Sequence, residues 1–208
     1  MGREGKIMSY QTVLFDFDGV LCKGRFYEKT LLPDYPSIYD WIQRNIFGNK
    51  ELVRKWMRNQ INSDNINGLI AENTGIGVTA LNELYKESIR KMELEKEIKD
   101  LAESLKLTGK KIGIVTDNMD IFSQITIQNH QLDKLFDVII NSADKGILKK
   151  DENGRLFDIA LTALGEKIGN SLMIDDSETT IELYKQKGGD GFVYKNPAEL
   201  KLFLRGSQ

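Results

Sequence analysis

Short apolar runs without polar alternation are the feature that most restricts the fold of this chain. Val13-Leu14-Phe15 and Ile112-Gly113-Ile114-Val115 are two such runs. Continuous runs of this length are typical of strands that are covered on both faces, as in a central parallel sheet. Runs rich in apolar and β-branched residues predict five strands, at about 12–16, 111–116, 137–141, 171–175 and 190–194.

Amphipathic stretches separate most of the later strands. Their apolar periodicity predicts helices at about 94–107, 120–129, 156–168, 177–187 and 196–204. Strands that alternate with helices through right-handed crossovers place helices on both faces of one sheet. The sequence therefore predicts an α/β fold with a doubly wound, Rossmann-like parallel-sheet core.

The interval between the first two predicted strands is far longer than a crossover requires. Helical patterns, such as Lys50 to Gln60 and Thr79 to Met92, indicate a small helical cap inserted at residues 23–92. Residues 1–22 and 93–208 would then form the core. Trp56 lies in a basic segment and could be a stacking platform for a base, but an amphipathic cap helix with a solvated basic face is the simpler interpretation.

Composition excludes several classes of protein. Twenty-nine basic and 31 acidic residues give a net charge of −2, so we expect neither nucleic acid nor a membrane surface as partner. Met1–Ser9 has no apolar core of a signal peptide and no later run is long enough to span a membrane, which favours a cytoplasmic location. One cysteine and one histidine cannot build a disulfide framework or a usual zinc site.

Polar residues follow three predicted strands at their carboxyl ends: Asp16 and Asp18, Thr116 and Asp117, and Asp175 and Asp176. A single aspartate there is more often a turn or helix cap than a catalyst. Because the carboxyl ends of parallel strands meet at one edge of a sheet, however, these residues should converge. Four of these aspartates would repel one another unless a cation lay among them: Asp16, Asp18, Asp175 and Asp176. Mg²⁺ prefers such oxygen ligands. One carboxylate could then attack a bound phosphate ester while another protonates the leaving oxygen, and Asp16 and Asp18 have suitable spacing.

The segment Asp16-Phe17-Asp18-Gly19-Val20-Leu21 resembles the first motif of the haloacid dehalogenase (HAD) superfamily, whose phosphatases share Asp-x-Asp-Gly. Three segments resemble the other motifs in the required order: Val115-Thr116-Asp117-Asn118, Ser142 to Asp151, and Ile174-Asp175-Asp176-Ser177. The resemblance covers about 11–22 and 93–208. It implies Mg²⁺-dependent hydrolysis of a small-molecule phosphate monoester through an aspartyl-phosphate.

The resemblance also implies a role for each strand-end residue. Asp16 would be the nucleophile and a metal ligand, and Asp18 would be the general acid and base with its backbone carbonyl on the metal. Thr116 and the backbone N–H of Asp117 would bind the transferring phosphoryl group. The metal site would be completed by Asp175 and Asp176, one of them directly and the other through water.

The third motif supplies a lysine that would neutralise charge on the nucleophile and the phosphate. In the family a proline often follows this lysine, whereas here Lys150 follows Lys149. Lys149 is the first choice, with Lys145 and Lys150 as alternatives.

Other functions use the same fold. A phosphomutase would employ the same residues, and a non-catalytic binding module would be expected to have lost part of the charged set, which is complete here. In the dehalogenase branch, the residue two positions after the nucleophile is not normally aspartate, which disfavours that activity.

Overall fold

The computed structural model describes residues 10–206. The segment Met1–Ser9, for which the sequence predicts no signal peptide, lies outside the described residues, as do the last two residues of the chain. Within 10–206, every helix is too short or too polar to cross a membrane.

A five-stranded sheet forms the centre of the fold. The strands are β1 (Thr12–Phe15), β2 (Lys111–Thr116), β3 (Val138–Asn141), β4 (Ser171–Asp175) and β5 (Asp190–Val193). They are parallel and lie in the order β3-β2-β1-β4-β5. Thr12 of β1 is opposite both Lys111 and Ser171, so β1 is central, and all four of its residues are buried. The predicted α/β, doubly wound fold is confirmed.

Eleven α-helices are present within the described range. They are α1 (Pro36–Ile42), α2 (Lys50–Met57), α3 (Ser63–Thr74), α4 (Val78–Arg90), α5 (Lys96–Leu107), α6 (Ile127–Asn129), α7 (Leu132–Leu135), α8 (Ser142–Lys145), α9 (Arg155–Leu164), α10 (Glu178–Gln186) and α11 (Pro197–Arg205). Alternate side chains of β1 point to opposite faces of the sheet. Val13 and Phe15 belong to one hydrophobic cluster, which contains apolar residues of α5 and α11. Leu14 belongs to a second hydrophobic cluster, which contains apolar residues of α9 and α10.

One predicted helix is too long, and another contains a π-helical segment. The residues predicted as a helix at 120–129 are helical throughout, but Phe122–Thr126 forms a π-helical turn, which the short α6 continues. The helix predicted at 156–168 ends earlier, at Leu164, because Gly165 adopts a left-handed conformation with φ 67° that stops the helix.

Helices α1 to α4 and a π-helical turn, Gln43–Phe47, lie between β1 and β2 in sequence and share one hydrophobic cluster. Trp56 is fully buried in that cluster, so it is not a stacking platform. The two ends of this helical cap lie side by side, because Cys22 pairs with Leu94 in an antiparallel bridge and the Glu95 N–H donates to the Leu21 carbonyl at 2.8 Å. This adjacency supports our proposal that the cap comprises about 23–92.

Candidate active site

The turn after β1 brings its acidic residues to the edge of the sheet. Asp16 is 6% exposed, and its carboxylate accepts the Phe17 N–H at 2.8 Å. Gly19 turns the chain with φ 80°, and a Cβ at this position would lie 2.2 Å from Asp176 Oδ2. Only glycine therefore permits both the turn and the close approach of the Asp176 carboxylate.

Three carboxylates meet at the carboxyl ends of β1 and β4. Asp16, Asp175 and Asp176 each offer one oxygen, and these oxygens lie within 4.8 Å of one another. Burial raises the pKa of Asp176, and the nearby Asp175 raises it further. Such crowding is costly without a cation, and three hard oxygen donors suit Mg²⁺. The donor set therefore fits the metal that the sequence predicts.

Lys149 lies among these carboxylates. Its Nζ donates to Asp16 Oδ2 and to Asp175 Oδ2, each at 2.6 Å, and the residue is only 4% exposed. Burial lowers the pKa of Lys149, but the neighbouring aspartates, Asp16 first, raise it by more, so the pKa lies above its ordinary value and the side chain stays charged.

The alternative lysines lie elsewhere. Lys150 is exposed and its Nζ donates to the Thr179 hydroxyl, and Lys145 is exposed on α8. Of the three candidates, Lys149 is the one that contacts the carboxylate cluster.

Thr116, the last residue of β2, is fully buried. Its Oγ1 has no hydrogen-bond partner among residues 10–206. A buried hydroxyl without a partner is costly, and at a strand end beside charged groups it is a natural contact for a ligand oxygen. The carboxylate of the next residue, Asp117, accepts a hydrogen bond from the Lys149 backbone N–H at 2.7 Å. This bond joins the loop that follows β2 to the loop that carries Lys149.

The carboxylate of Asp18 is not one of the three clustered carboxylates. It accepts a hydrogen bond from Asn118 Nδ2 at 2.9 Å. Burial raises the pKa of Asp18 to about 7, with Lys149 lowering it and Asp176 raising it. A carboxyl group in this range can hold a proton near neutral pH and give it up during a reaction.

Two residues that orient this site received no role from the sequence. Asn118 holds the Asp18 carboxylate, and Ser142 Oγ accepts the Asn118 backbone N–H at 2.9 Å. Both belong to segments that match family motifs, and this position in the motifs was the signal that could have identified them.

The cap lies against this edge of the sheet. Ser142 Oγ donates to the Met57 carbonyl at 2.7 Å, and Arg58 makes two hydrogen bonds of 2.8 Å to the Asp151 carboxylate. Trp56 Nε1 donates to Asp120 Oδ1 at 2.9 Å. These contacts place the end of α2 over the loops that follow β2 and β3.

Solved structures with the same fold include several enzymes. A predicted HAD-like family hydrolase from Porphyromonas gingivalis has a TM-score of 0.71 at 16% identity, covering 93% of this chain and 98% of the other. A HAD family enzyme from Bacteroides thetaiotaomicron, solved as an aspartate-to-alanine mutant with magnesium and inorganic phosphate, has a TM-score of 0.69 at 15% identity over 89% and 94%. L-2-Haloacid dehalogenase from Xanthobacter autotrophicus has a TM-score of 0.66 at 16% identity over 96% and 84%.

At these identities the structures show the shared fold alone. No curated protein sequence matches the chain. The profile of the haloacid dehalogenase-like hydrolases, however, matches residues 10–186, which include β1 to β4 and every strand-end aspartate described above. The chain therefore belongs to the haloacid dehalogenase-like hydrolase family.

Proposed function

We propose that this protein is a Mg²⁺-dependent phosphatase that hydrolyses a small-molecule phosphate monoester through an aspartyl-phosphate on Asp16. The observation that carries the proposal is the different placement of two carboxyl groups on one turn. Asp16 lies in the carboxylate cluster against the charged Lys149, whereas Asp18 lies outside that cluster and is held by Asn118. This division suits a nucleophile beside a separate acid and base.

In the first step, Asp16 attacks phosphorus and forms an acyl phosphate while the bond to the ester oxygen breaks. Asp18 gives its proton to that oxygen, and the alcohol leaves. In the second step, Asp18 takes a proton from water, which attacks phosphorus and releases inorganic phosphate from Asp16. Lys149, the Thr116 hydroxyl and the Asp117 N–H bind the phosphoryl oxygens.

The proposed metal ligands are the Asp16 carboxylate, the Asp18 backbone carbonyl, and at least one of Asp175 and Asp176. When bound, Mg²⁺ offsets the charge of the carboxylates and of the anionic substrate.

Release of phosphate from p-nitrophenyl phosphate tests the proposal. We expect turnover with Mg²⁺ or Mn²⁺ and none after exhaustive EDTA treatment. Lys149 offsets only one of the clustered carboxylate charges, and the remaining negative charge repels an anionic substrate unless a metal cation is bound. Added Mg²⁺ should restore activity. Full activity after EDTA treatment would contradict the metal requirement, and chloride release from 2-chloropropionate without phosphatase activity would favour a dehalogenase.

The Asp18→Asn variant should lose about 10²-fold or more in kcat on an alkyl phosphate, the usual scale for removing a general acid and base. The amide keeps the size of the side chain and can still hydrogen bond to Asn118. The measurement is steady-state phosphate release, with Asp144→Asn, at an exposed position of α8, as the control. An unchanged rate on a substrate whose leaving group needs protonation would show that Asp18 is not the acid.

A further inference from the structure

A cavity of about 390 Å³ opens between the turn after β1 and the cap, and Asp18 is one of its lining residues. Its lining includes five apolar side chains, which we call the apolar wall: Phe26, Phe47, Val53, Met57 and Met119. Cys22, Gln43 and two exposed cations, Lys23 and Arg25, also line it. In the proposed reaction Asp18 protonates the leaving oxygen, so the alcohol must lie on the Asp18 side of the phosphorus atom. This cavity is on that side.

A neighbouring cleft has a different character. It is lined by Asp117, whose N–H is proposed to bind phosphate, and by four basic residues: Lys50, Arg54, Arg58 and Lys150. Arg58 is paired with Asp151 of the same cleft, and Phe47, Val53 and Met57 line both spaces. Positive charge beside Asp117 suits the approach of a phosphate dianion. Asp18 lines the cavity and Asp117 lines the cleft, so the proposed mechanism places the alcohol in the cavity and the approaching anion in the cleft.

The apolar wall is fixed by packing within the cap. Phe26 stacks on Phe47 with ring centroids 5.7 Å apart and makes an edge contact with Tyr85 at 5.3 Å. Val53 and Met57 are four residues apart on α2 and therefore share one helix face. The apolar wall offers no partners to the several hydroxyls of a sugar, and each hydroxyl that lost water against it would cost free energy. The two cations of the lining are exposed, and Lys23 is already paired with Glu95 at 3.0 Å.

One polar side chain in the cavity lining has an unused donor. Gln43 begins the π-helical turn Gln43–Phe47, and its Nε2 is buried without a hydrogen-bond partner among the residues that the structure describes. Single π-helical turns are frequent at functional sites. A buried amide donor without a partner favours a ligand that brings one acceptor.

We propose that this cavity is the leaving-group site, and that the substrate is the phosphate monoester of a compact, mainly apolar or aromatic alcohol carrying one hydrogen-bond acceptor for Gln43. The inference rests on the proposed function and names the substrate class of the same site. An apolar cavity of about 150 Å³ holds benzene. The cavity here therefore has room for one substituted ring.

The first experiment compares benzyl phosphate with glucose 6-phosphate, both of which are esters of primary alcohols. We expect kcat/KM for benzyl phosphate to be at least about tenfold higher, the scale of a modest difference in apolar binding. Equal efficiency, or a preference for the sugar, would overturn this inference while leaving the phosphatase proposal intact. Absence of turnover for every ester with Mg²⁺ would refute both.

The second experiment changes the wall. Val53→Asn should lower kcat/KM for benzyl phosphate about fivefold or more without lowering that for glucose 6-phosphate, because it makes the wall polar. Val53→Thr keeps the side-chain shape and should act in the same direction if the first variant folds poorly. Lys55→Ala is the matched control, since Lys55 is an exposed residue of the same helix, paired with Glu51. Equal losses of kcat/KM for both esters would overturn the assignment of this wall to the alcohol part of the substrate.

The third experiment tests Gln43 with 4-acetylbenzyl and 4-isopropylbenzyl phosphate, which differ chiefly in the acceptor. The wild-type protein should favour the acetyl compound, and Gln43→Leu should reduce that preference about fivefold or more, the usual scale for losing one hydrogen bond. The quantity compared is kcat/KM for the acetyl ester divided by kcat/KM for the isopropyl ester, in the wild-type protein and in Gln43→Leu. Any intrinsic difference in reactivity between the two esters is the same in both proteins and cancels. An unchanged ratio would show that Gln43 does not bind the alcohol.

Discussion

Asp16→Asn is expected to abolish turnover while the fold survives. The amide is a poor nucleophile and a poorer metal ligand than the carboxylate, and no other group in the proposed mechanism can accept the phosphoryl group. The change is nearly isosteric at a residue that is only 6% exposed. Lys149 retains its hydrogen bond to Asp175, so its charge is not left without a partner.

Phosphate release measures the loss, and circular dichroism with thermal unfolding checks that the variant is folded. Asp133→Asn, at an exposed position of α7, is the control for the substitution itself. Activity of Asp16→Asn above a few per cent of wild type would mean that another residue is the nucleophile.

Lys149→Met is expected to abolish activity and also to destabilise the protein. It removes the cation that contacts Asp16 and Asp175 and leaves two buried carboxylates facing each other. Removing one partner of a buried ion pair typically costs about 3–5 kcal/mol. Urea unfolding without divalent metal measures the stability, and phosphate release measures the activity.

Mg²⁺ should recover part of the lost stability of Lys149→Met, because it would supply positive charge to the same carboxylates and bind only the folded chain. It should not recover activity, since the lysine is proposed to bind the phosphoryl group as well. Lys145→Met and Lys150→Met are matched controls at exposed positions and should change stability little. Greater sensitivity at either neighbour would show that the wrong lysine of the third motif was chosen.

Much of the fold is encoded locally. The runs at Val13 and Ile112 predict strands because a strand buried on both faces needs apolar side chains in both directions, and each of the five predicted strands lies within one residue of its observed bounds. Details of the helices were less predictable. The π-helical turn inside the predicted helix 120–129 and the end of α9 before Gly165 depend on backbone geometry that apolar periodicity does not encode.

The sequence alone also determined which residues could meet. Asp16, Thr116 and Asp175 each end a predicted strand, and parallel strands bring such residues to one edge whatever the details of packing. The family motifs then gave each of them an expected role.

Tertiary structure decided the relations among those residues. The contact of Lys149 with two aspartates, and the exclusion of the Asp18 carboxylate from the cluster, depend on how the loops after β2 and β3 fold back over the sheet. The apolar cavity depends even more on packing, because Phe26, Val53 and Met119 come from segments far apart in the chain. Such contacts arise only when the cap and the core pack together. Short-range sequence patterns do not specify contacts between residues so far apart in the chain.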